Sequence, residues 1–246
     1  MTQLQRLVIA PTQRQNQEIS LTQAQQHYLL RVLRLGKNAR FIAMDGQGSW
    51  WLSELDASLT QAKIIESINV QTELLVTVTL MAAMPKNGFD DVVTQATELG
   101  VACIVPLKSD RTLLAPSPQK LQRWQRLAQE AAEQSERQIV PTILDPVNFM
   151  ASLEMSATLA TQRYLCVTRD DAPHLLSCLN AHKLQLENQQ PLSILIATGP
   201  EGGWTNAEVE QAINAGFQTV SLGRRIFRAV TAPLVALSLV AASFEG

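Results

Sequence analysis

The first 72 residues are dominated by short apolar segments that have the length and composition of β-strands. Strands are predicted over residues 6–10, 39–44, 50–55 and 63–70. Asp45 and Gly46 form a tight-turn signal between two of these strands. Thr22 and Gln25 have the spacing of a helix capping box, and Gly36 is placed to end that helix. The pattern predicts a small β-barrel with one helix packed against it.

From residue 74 onward, strand-like apolar runs alternate with helical patterns. Further strands are predicted over residues 74–82, 101–107, 164–168, 193–198 and 219–222. Helices are predicted from Asn87 to Gly100, from Ser117 and Pro118 onward, near residues 173–179, from Thr205 to Gly216 and over residues 231–244. Thr205 and Glu208 repeat the capping box. Strands separated by helices favour a mostly parallel sheet covered on both faces, so an α/β domain is predicted over residues 73–246, after a β-rich domain over residues 1–72.

Two glycine-containing loops follow predicted strands of the α/β domain. They are GPEGG at residues 199–203 and Leu222-Gly223. Ligands of such sheets gather at the carboxyl ends of strands. The first loop lacks the glycine spacing of phosphate-binding loops, and Glu201 disfavours an anion beside it. This loop therefore suits a neutral or cationic ligand with hydroxyl and amino groups, with an ordinary strand-to-helix turn as the alternative.

Charge is distributed unevenly along the chain. The formal net charge is −2, so binding to nucleic acid has to rest on local charge. Between residues 1 and 40, six basic residues stand against Glu18 alone, which gives 6 − 1 = +5. They are Arg6, Arg14, Arg31, Arg34, Lys37 and Arg40. The segment is either a surface that contacts phosphates or a solvated face without a partner.

The three cysteines and three histidines do not have metal-ligand or disulfide spacing. Each cysteine is therefore interpreted as a small buried hydrophobic residue, and no metal is expected. The amino terminus has no long apolar core and no run reaches membrane-spanning length, so a cytoplasmic protein without a membrane partner is expected.

A series of short motifs lies in a specific order along nearly the whole chain. They are Lys86, TELGV at residues 97–101, Asp110-Arg111, Arg123-Trp124, EAAEQS at 130–135 with Arg137, GPEGG at 199–203, SLG at 221–223, Ile226, Arg228 and TAP at 231–233. Together they resemble the SPOUT family of RNA methyltransferases. The resemblance implies a C-terminal SPOUT α/β trefoil-knot domain that encloses S-adenosylmethionine, and an N-terminal PUA-like β-barrel that binds RNA. It also implies a homodimer that methylates N3 of a uridine in 16S rRNA of the small ribosomal subunit.

The same resemblance implies the site residues. Cofactor contacts are expected at Thr198, Gly199, Pro200, Glu201, Gly202, Leu222, Gly223, Ile226, Phe227, Arg228 and Thr231. RNA contacts are expected at the motif residues Lys86, Arg111 and Arg137, and, from their positive charge, at Arg6, Arg31, Arg34 and Arg224. Arg228 is the first candidate to stabilise negative charge on the uracil, and Glu201 either accepts the N3 proton or holds a ribose hydroxyl. Plain core packing is the alternative for Leu222 and Ile226, and pairing with Glu133 is the alternative for Arg137.

Two positions depart from the family's pattern. Val230 stands where relatives usually carry a carboxylate, and Arg224 stands where proline is common. Extra positive charge at Arg224 favours contact with RNA. Two other functions stay open: methylation of a different RNA nucleotide by the same fold, and a non-catalytic RNA-binding factor in ribosome assembly, which Val230 keeps in consideration. A nicotinamide oxidoreductase is disfavoured because the glycine fingerprint is missing.

Overall fold

The computed structural model describes residues 4–112, 116–168, 171–182 and 191–245. Met1 to Gln3, part of the amino terminus considered above, lie outside the described residues. Contacts divide the chain into two compact units. The first comprises Met1–Glu73 with Ala132–Val140, and the second comprises Leu74–Ala131 with Pro141–Gly246. The return of residues 132–140 to the first unit has no counterpart in the sequence pattern.

A six-stranded sheet, in the order β1-β4-β5-β6-β3-β2, forms the first unit. Its strands are β1 (Arg6–Val8), β2 (Arg14–Gln15), β3 (Glu18–Ser20), β4 (Arg40–Met44), β5 (Trp50–Leu55) and β6 (Gln61–Ile68). All pairs are antiparallel except β1 with β4. The four predicted strands are confirmed. The β2–β3 hairpin was not predicted, because both strands are short and mostly polar.

One helix, α1 (Gln23–His27), lies between β3 and β4 and continues as a wider π-helical turn over Tyr28–Val32. The predicted capping box is confirmed, because the Thr22 hydroxyl accepts the backbone N–H of Gln25 at 3.3 Å. The predicted stop at Gly36 is wrong. The chain leaves the helix earlier, at Arg34, which adopts the left-handed conformation with φ of 56°.

The predicted turn between β4 and β5 is confirmed and is held by a side chain. One Asp45 carboxylate oxygen accepts the backbone N–H groups of Gln47 and Ser49 at 2.8 and 3.0 Å. Gly46 has a φ of 67°, and a β-carbon there would lie 2.9 Å from Cγ2 of Val140. Glycine therefore serves both the turn and the close approach of residues 132–140.

A parallel sheet forms the second unit, in the order β10-β8-β7-β12-β11-β13, with β9 paired beside β8. Its strands are β7 (Thr77–Ala83), β8 (Cys103–Lys108), β9 (Thr142–Ile143), β10 (Val147–Asn148), β11 (Gln162–Cys166), β12 (Ser193–Thr198) and β13 (Gln218–Val220). Every pairing is parallel, as the alternation of strands and helices predicts.

Six helices begin within the described part of the second unit. They are α2 (Phe89–Glu98), α3 (Pro118–Gln134), α4 (Phe149–Leu159), α5 (Leu175–Asn180), α6 (Asn206–Asn214) and α7 (Ala232–Phe244). Neighbouring residues of the central strands, such as Leu80 with Met81 and Leu195 with Ile196, are all buried. Since successive side chains of a strand point to opposite faces, the sheet is covered on both sides. Within the described ranges, no helix combines the length and apolar character needed to cross a membrane.

Helix ends in the second unit follow local signals with one exception. Gly100 and Gly216 have φ of 88° and 85° and end α2 and α6 as predicted. Asn87 was predicted to cap α2, but the capping residue is Gly88, with a φ of 86°. The α4 helix was not predicted, because its apolar residues are spread around the helix instead of following one face. The knotted chain path stays a prediction of the resemblance.

Candidate active site

A cleft of about 1470 Å³ lies at the carboxyl ends of β7, β11 and β12. Residues 199–204 after β12 form one wall and residues 221–230 after β13 form another. Lys86 and Asn87 after β7, with Arg111 after β8, complete its border. The sheet therefore brings together the two glycine-containing loops that the sequence singled out.

The first loop is shaped by close contacts to Trp204. A β-carbon on Gly199 would lie 3.2 Å from the Trp204 ring. The indole N–H of Trp204 donates to the backbone oxygen of Cys166 at 3.0 Å, and its ring packs 5.3 Å from that of Phe149. Gly203 has a φ of 69° and closes the turn. The backbone of this loop therefore lies open to the cleft, without a side chain at position 199.

Glu201 joins this loop to the loop after β7. Its Oε1 accepts the backbone N–H of Lys86 at 2.8 Å, and its side chain is exposed. A general base acting near neutral pH was expected to need burial, which Glu201 lacks. The geometry favours a role in organising the loop and in accepting a ligand's hydroxyl group.

The mouth of the cleft is basic. A smaller cavity of about 480 Å³ is lined by Lys86, Arg111, Glu201 and Gly202. Nη1 of Arg111 donates to the backbone oxygen of Gly202 at 2.6 Å. Lys86 and Arg111 are both exposed, so their charges face solvent beside the two walls.

The second loop ends at the start of α7. Gly223 has a φ of 118°, and its N–H donates to the Ser221 hydroxyl at 3.0 Å. The backbone oxygen of Arg228 accepts the N–H groups of Thr231 and Ala232 at 2.8 and 2.9 Å, which begins the helix. The Arg228 side chain is exposed to the cleft. This arrangement holds the backbone while leaving the guanidinium free to meet a ligand.

Nine of the eleven expected cofactor residues line the cleft. They are Gly199, Pro200, Glu201, Gly202, Leu222, Gly223, Ile226, Phe227 and Arg228. Ile226 is 60% exposed, so core packing does not explain it. Thr198 is 1% exposed and lies behind the loop, and Thr231 sits at the start of α7. The roles of all eleven in binding stay predictions.

Several residues that line the cleft were not assigned to a site from the sequence, among them Asn87, His174 and Trp204. Trp204 follows GPEGG directly, so its position was a usable signal. His174 had none, because a lone histidine is uninformative. In the structure Nδ1 of His174 accepts the N–H of Leu176 at 3.2 Å, which caps α5.

The predicted RNA contacts divide into exposed and buried groups. Arg31, Arg34, Lys86, Arg111 and Arg224 are exposed. Arg6 is 8% exposed, pairs with Glu136 and lies 5.1 Å from the ring centre of Trp50. Arg137 is 4% exposed and pairs with Glu73. Burial and pairing favour a structural role for Arg6 and Arg137, and their contact with RNA stays an untested prediction.

Val230 also lines the cleft, where it packs against the start of α2. A β-carbon on Gly88 would lie 3.0 Å from Cγ1 of Val230. Among the described residues that line the cleft, Asp171 and Glu201 are the acidic ones. Position 230, where the resemblance predicts a carboxylate, thus makes an apolar contact in this protein.

None of the cysteines has the character of a nucleophile. Burial raises the pKa of the Cys166 thiol from 9.0 to about 12 and that of Cys103 to about 11. Burial also raises the pKa of Cys178. A thiolate is the reactive form, so these thiols stay unreactive near neutral pH. In the described portion of the chain, no cluster of three or more His, Cys, Asp or Glu side chains is arranged to hold a metal.

Alkaline solution is expected to destabilise the protein through Cys166. In the unfolded chain this thiol loses its proton near its ordinary pKa of 9.0, whereas the folded protein keeps the proton up to about pH 12. The unfolded state therefore binds fewer protons between these values, and the free energy of unfolding falls as pH rises from 9 to 12. Denaturant unfolding on both sides of pH 9, on wild type and Cys166→Ala, measures this: the fall should be shallower in the variant. Equal slopes would contradict it.

The chain is similar to known RNA methyltransferases in both sequence and structure. A family model described as an RNA methyltransferase domain matches residues 72–241, and one described as an RNA methyltransferase PUA domain matches residues 21–66. The chain is 48% identical to ribosomal RNA small subunit methyltransferase E of Synechocystis sp. over 98% of this chain and 78% of that protein. It is 30% identical to the Bacillus subtilis protein of the same name over 98% of both. The crystal structure of the Neisseria gonorrhoeae enzyme of that name, bound to S-adenosyl methionine, covers 98% of both chains at 27% identity, with a TM-score of 0.82.

The fold and the cleft define an RNA methyltransferase with a PUA-like unit of strands and a SPOUT α/β unit, which confirms the predicted fold class. The matches extend along nearly the whole chain. The chain belongs to the ribosomal RNA small subunit methyltransferase E family.

Proposed function

We propose that this protein transfers a methyl group from S-adenosylmethionine to N3 of a specific uridine in 16S rRNA of the small ribosomal subunit. The observation that carries the proposal is the meeting of residues 199–204 and 221–230 in one cleft with a basic mouth. The names of the relatives support a ribosomal RNA substrate, and the Neisseria gonorrhoeae structure supports the cofactor.

The cleft suits S-adenosylmethionine chemically. This molecule has a sulfonium, an ammonium, ribose hydroxyls and an adenine but no phosphate. Gly199 and Gly202 line the cleft with backbone atoms alone, and a larger residue does not fit at either position, because a β-carbon would lie 3.2 or 3.0 Å from a neighbouring side chain. Glu201 and Asp171 provide carboxylates for hydroxyl or ammonium groups, and exposed Ile226 provides an apolar surface. When bound, the cofactor supplies a methyl group on positively charged sulfur.

We assign the binding of this cofactor to the nine cleft-lining residues among those expected. Thr198 ends β12, and Thr231 precedes α7. The hydroxyl oxygen of Thr198, the last residue of β12, is buried and has no hydrogen-bond partner among the described residues. By holding the cofactor in one orientation, these two loops would help to align the reacting atoms.

Arg228 is proposed to stabilise the uracil anion. N3 of uridine is an imide nitrogen that becomes nucleophilic when its proton leaves, so negative charge spreads to the uracil oxygens. The exposed Arg228 guanidinium lies in the cleft, directly before the amino terminus of α7. The guanidinium and the positive end of the helix dipole both favour that charge. Glu201 is proposed to hold a ribose hydroxyl, since it is exposed and already accepts a backbone N–H.

RNA binding is proposed to involve two basic groups. Lys86, Arg111 and Arg224 border the cleft, and Arg31 with Arg34 are exposed on the PUA-like unit. Such side chains bind phosphates, so affinity for RNA is expected to fall as salt concentration rises. The domain over residues 1–72 is proposed as the RNA-binding domain and the domain over residues 73–246 as the catalytic one.

A homodimer is part of the proposal. The α7 helix is apolar on nearly every side, and Leu234, Val235 and Leu239 are only partly buried within one chain. A helix that is hydrophobic all round belongs in an interior, so a second copy is the proposed cover for these residues. A ribosomal substrate places the proposed activity in the cytoplasm.

The test is methyl transfer to small ribosomal subunits from a strain that lacks the modification. With labelled S-adenosylmethionine, the label is expected on one uridine of 16S rRNA, at N3, as read by mass mapping of the nucleotide. Label on a ribose or on another base would contradict the proposed substrate and would show that the enzyme methylates a different RNA nucleotide.

Calorimetry with S-adenosylmethionine alone separates an enzyme from a binding factor. Saturable heat is expected from the proposed cofactor site. Absence of heat, together with retained binding to the small subunit, would favour a non-catalytic assembly factor, the function that Val230 kept open.

A further inference from the structure

Glu208 is a buried carboxylate that does more than cap a helix. Glu208 lies in the first turn of α6 and is 1% exposed. Its Oε2 accepts the N–H and hydroxyl groups of Thr205 at 2.8 and 3.1 Å, which completes the capping box. A capping box works on a solvated surface, whereas burying a charge is costly unless its hydrogen bonds are complete. The burial of Glu208 therefore points to a use for its second oxygen.

The second oxygen reaches a turn 98 residues earlier in the chain. Oε1 of Glu208 accepts the backbone N–H of Asp110 at 3.0 Å. That turn is closed on itself: Ser109 N–H donates to the Thr112 hydroxyl, and Thr112 N–H donates to the Ser109 carbonyl, both at 3.0 Å. Because the turn is internally fixed, holding one of its N–H groups holds the whole turn.

The next residue of the turn, Arg111, contacts the cofactor loop proposed above. Its Nη1 donates to the Gly202 carbonyl at 2.6 Å. Its side chain also covers Gly202, because a β-carbon there would lie 3.0 Å from Cδ of Arg111. The chain of contacts runs from Glu208 through the turn at Asp110 and Arg111 to Gly202.

We propose that Glu208 is a positioning residue that fixes the conformation of residues 199–203 through Asp110 and Arg111. Oε2 of Glu208 holds the end of the loop through its hydrogen bonds with Thr205. Oε1 holds the turn that positions the Arg111 side chain, which in turn donates to the carbonyl of Gly202 in the middle of the loop. The inference rests on the proposed function only in that these residues hold S-adenosylmethionine. The coupling itself is a property of the protein without ligand.

The test compares Glu208→Gln with two matched controls in the full-length protein. Glutamine keeps the size of the side chain but has one oxygen for two sets of donors, so either the cap or the Asp110 bond is lost. Thr205→Ala weakens the cap and leaves the Asp110 bond. Glu210→Gln makes the same chemical change at an exposed position of the same helix.

Two measurements are made on each variant. Glu208→Gln is expected to raise the Kd for S-adenosylmethionine about three- to tenfold, the range of one lost hydrogen bond. It is also expected to speed backbone hydrogen exchange over residues 199–204 in the absence of ligand. Glu210→Gln should match wild type in both. Thr205→Ala should change Kd by less than Glu208→Gln.

Arg111→Ala and the double variant test the route. Because Glu208 acts through Arg111, the double variant should bind S-adenosylmethionine as Arg111→Ala alone does, a non-additive result. Independent, additive effects would overturn the route, and so would a Thr205→Ala effect equal to that of Glu208→Gln. If Glu208→Gln does not fold, Arg111→Ala still tests the proposal. Backbone hydrogen exchange over residues 199–204 that is as slow in Arg111→Ala as in the wild type would overturn the proposal.

Failure of the proposed function has a different signature. Wild-type protein that does not bind S-adenosylmethionine contradicts the cofactor assignment, while faster exchange in Glu208→Gln would still support the coupling. Wild-type protein that binds the cofactor, with Glu208→Gln indistinguishable from Glu210→Gln, contradicts only the coupling.

Discussion

Arg228→Ala is expected to lower methyl transfer to the small ribosomal subunit by more than about tenfold and up to roughly a thousandfold, because it removes one donor that stabilises developing negative charge. The fold should be unaffected, because Arg228 holds the start of α7 through its backbone oxygen, which alanine keeps. Initial rates with saturating S-adenosylmethionine measure the first effect. Thermal unfolding measures the second.

Two control variants make this result specific. Arg228→Lys keeps the charge but loses the planar guanidinium, so an intermediate rate is expected. Arg126→Ala removes the same charge from an exposed position of α3 and should retain the wild-type rate. Wild-type turnover in Arg228→Ala would remove Arg228 from the mechanism.

Glu73→Ala is expected to lower the free energy of unfolding by about 3–5 kcal/mol, the cost of removing one member of a buried ion pair. Oε2 of Glu73 accepts two N–H groups of the Arg137 guanidinium. Oε1 accepts the backbone N–H groups of Gln138 and Ile139 at 2.9 and 3.1 Å. Alanine removes all four bonds within the first unit. Denaturant unfolding followed by circular dichroism measures the change.

An exposed ion pair of the same unit is the matched control. Arg40 and Glu54 pair across β4 and β5 at 3.1 Å, and Glu54→Ala should cost at most about 1 kcal/mol. The comparison also decides between two roles for Arg137. A structural role predicts that Arg137→Ala destabilises the protein, whereas the RNA contact expected from the sequence predicts unchanged stability with weaker binding to RNA. Stability equal to wild type in Glu73→Ala would contradict the structural role.

Local signals predicted most of the fold. Capping boxes at Thr22 and Thr205, and the glycines that end α2 and α6, act within one helical turn, so neighbouring residues contain the information. The end of a helix was predicted less well where it depends on the backbone conformation of one residue. The stop of the first helix fell on Arg34 and not Gly36, because a left-handed residue need not be glycine.

The sequence by itself determined the alternation of strands and helices, the two loops at strand ends and the residue types in them, because these depend on periodicity and on the chemistry of adjacent residues. The tertiary structure alone decided which charges are free. Arg6 and Arg137 are buried against acidic partners, one of them more than a hundred residues away along the chain, while Arg31 and Arg34 stay in solvent. It also decided that Glu208 reaches Asp110, since a hydrogen bond between residues 98 positions apart depends on the packing of β8 and β12 in one sheet.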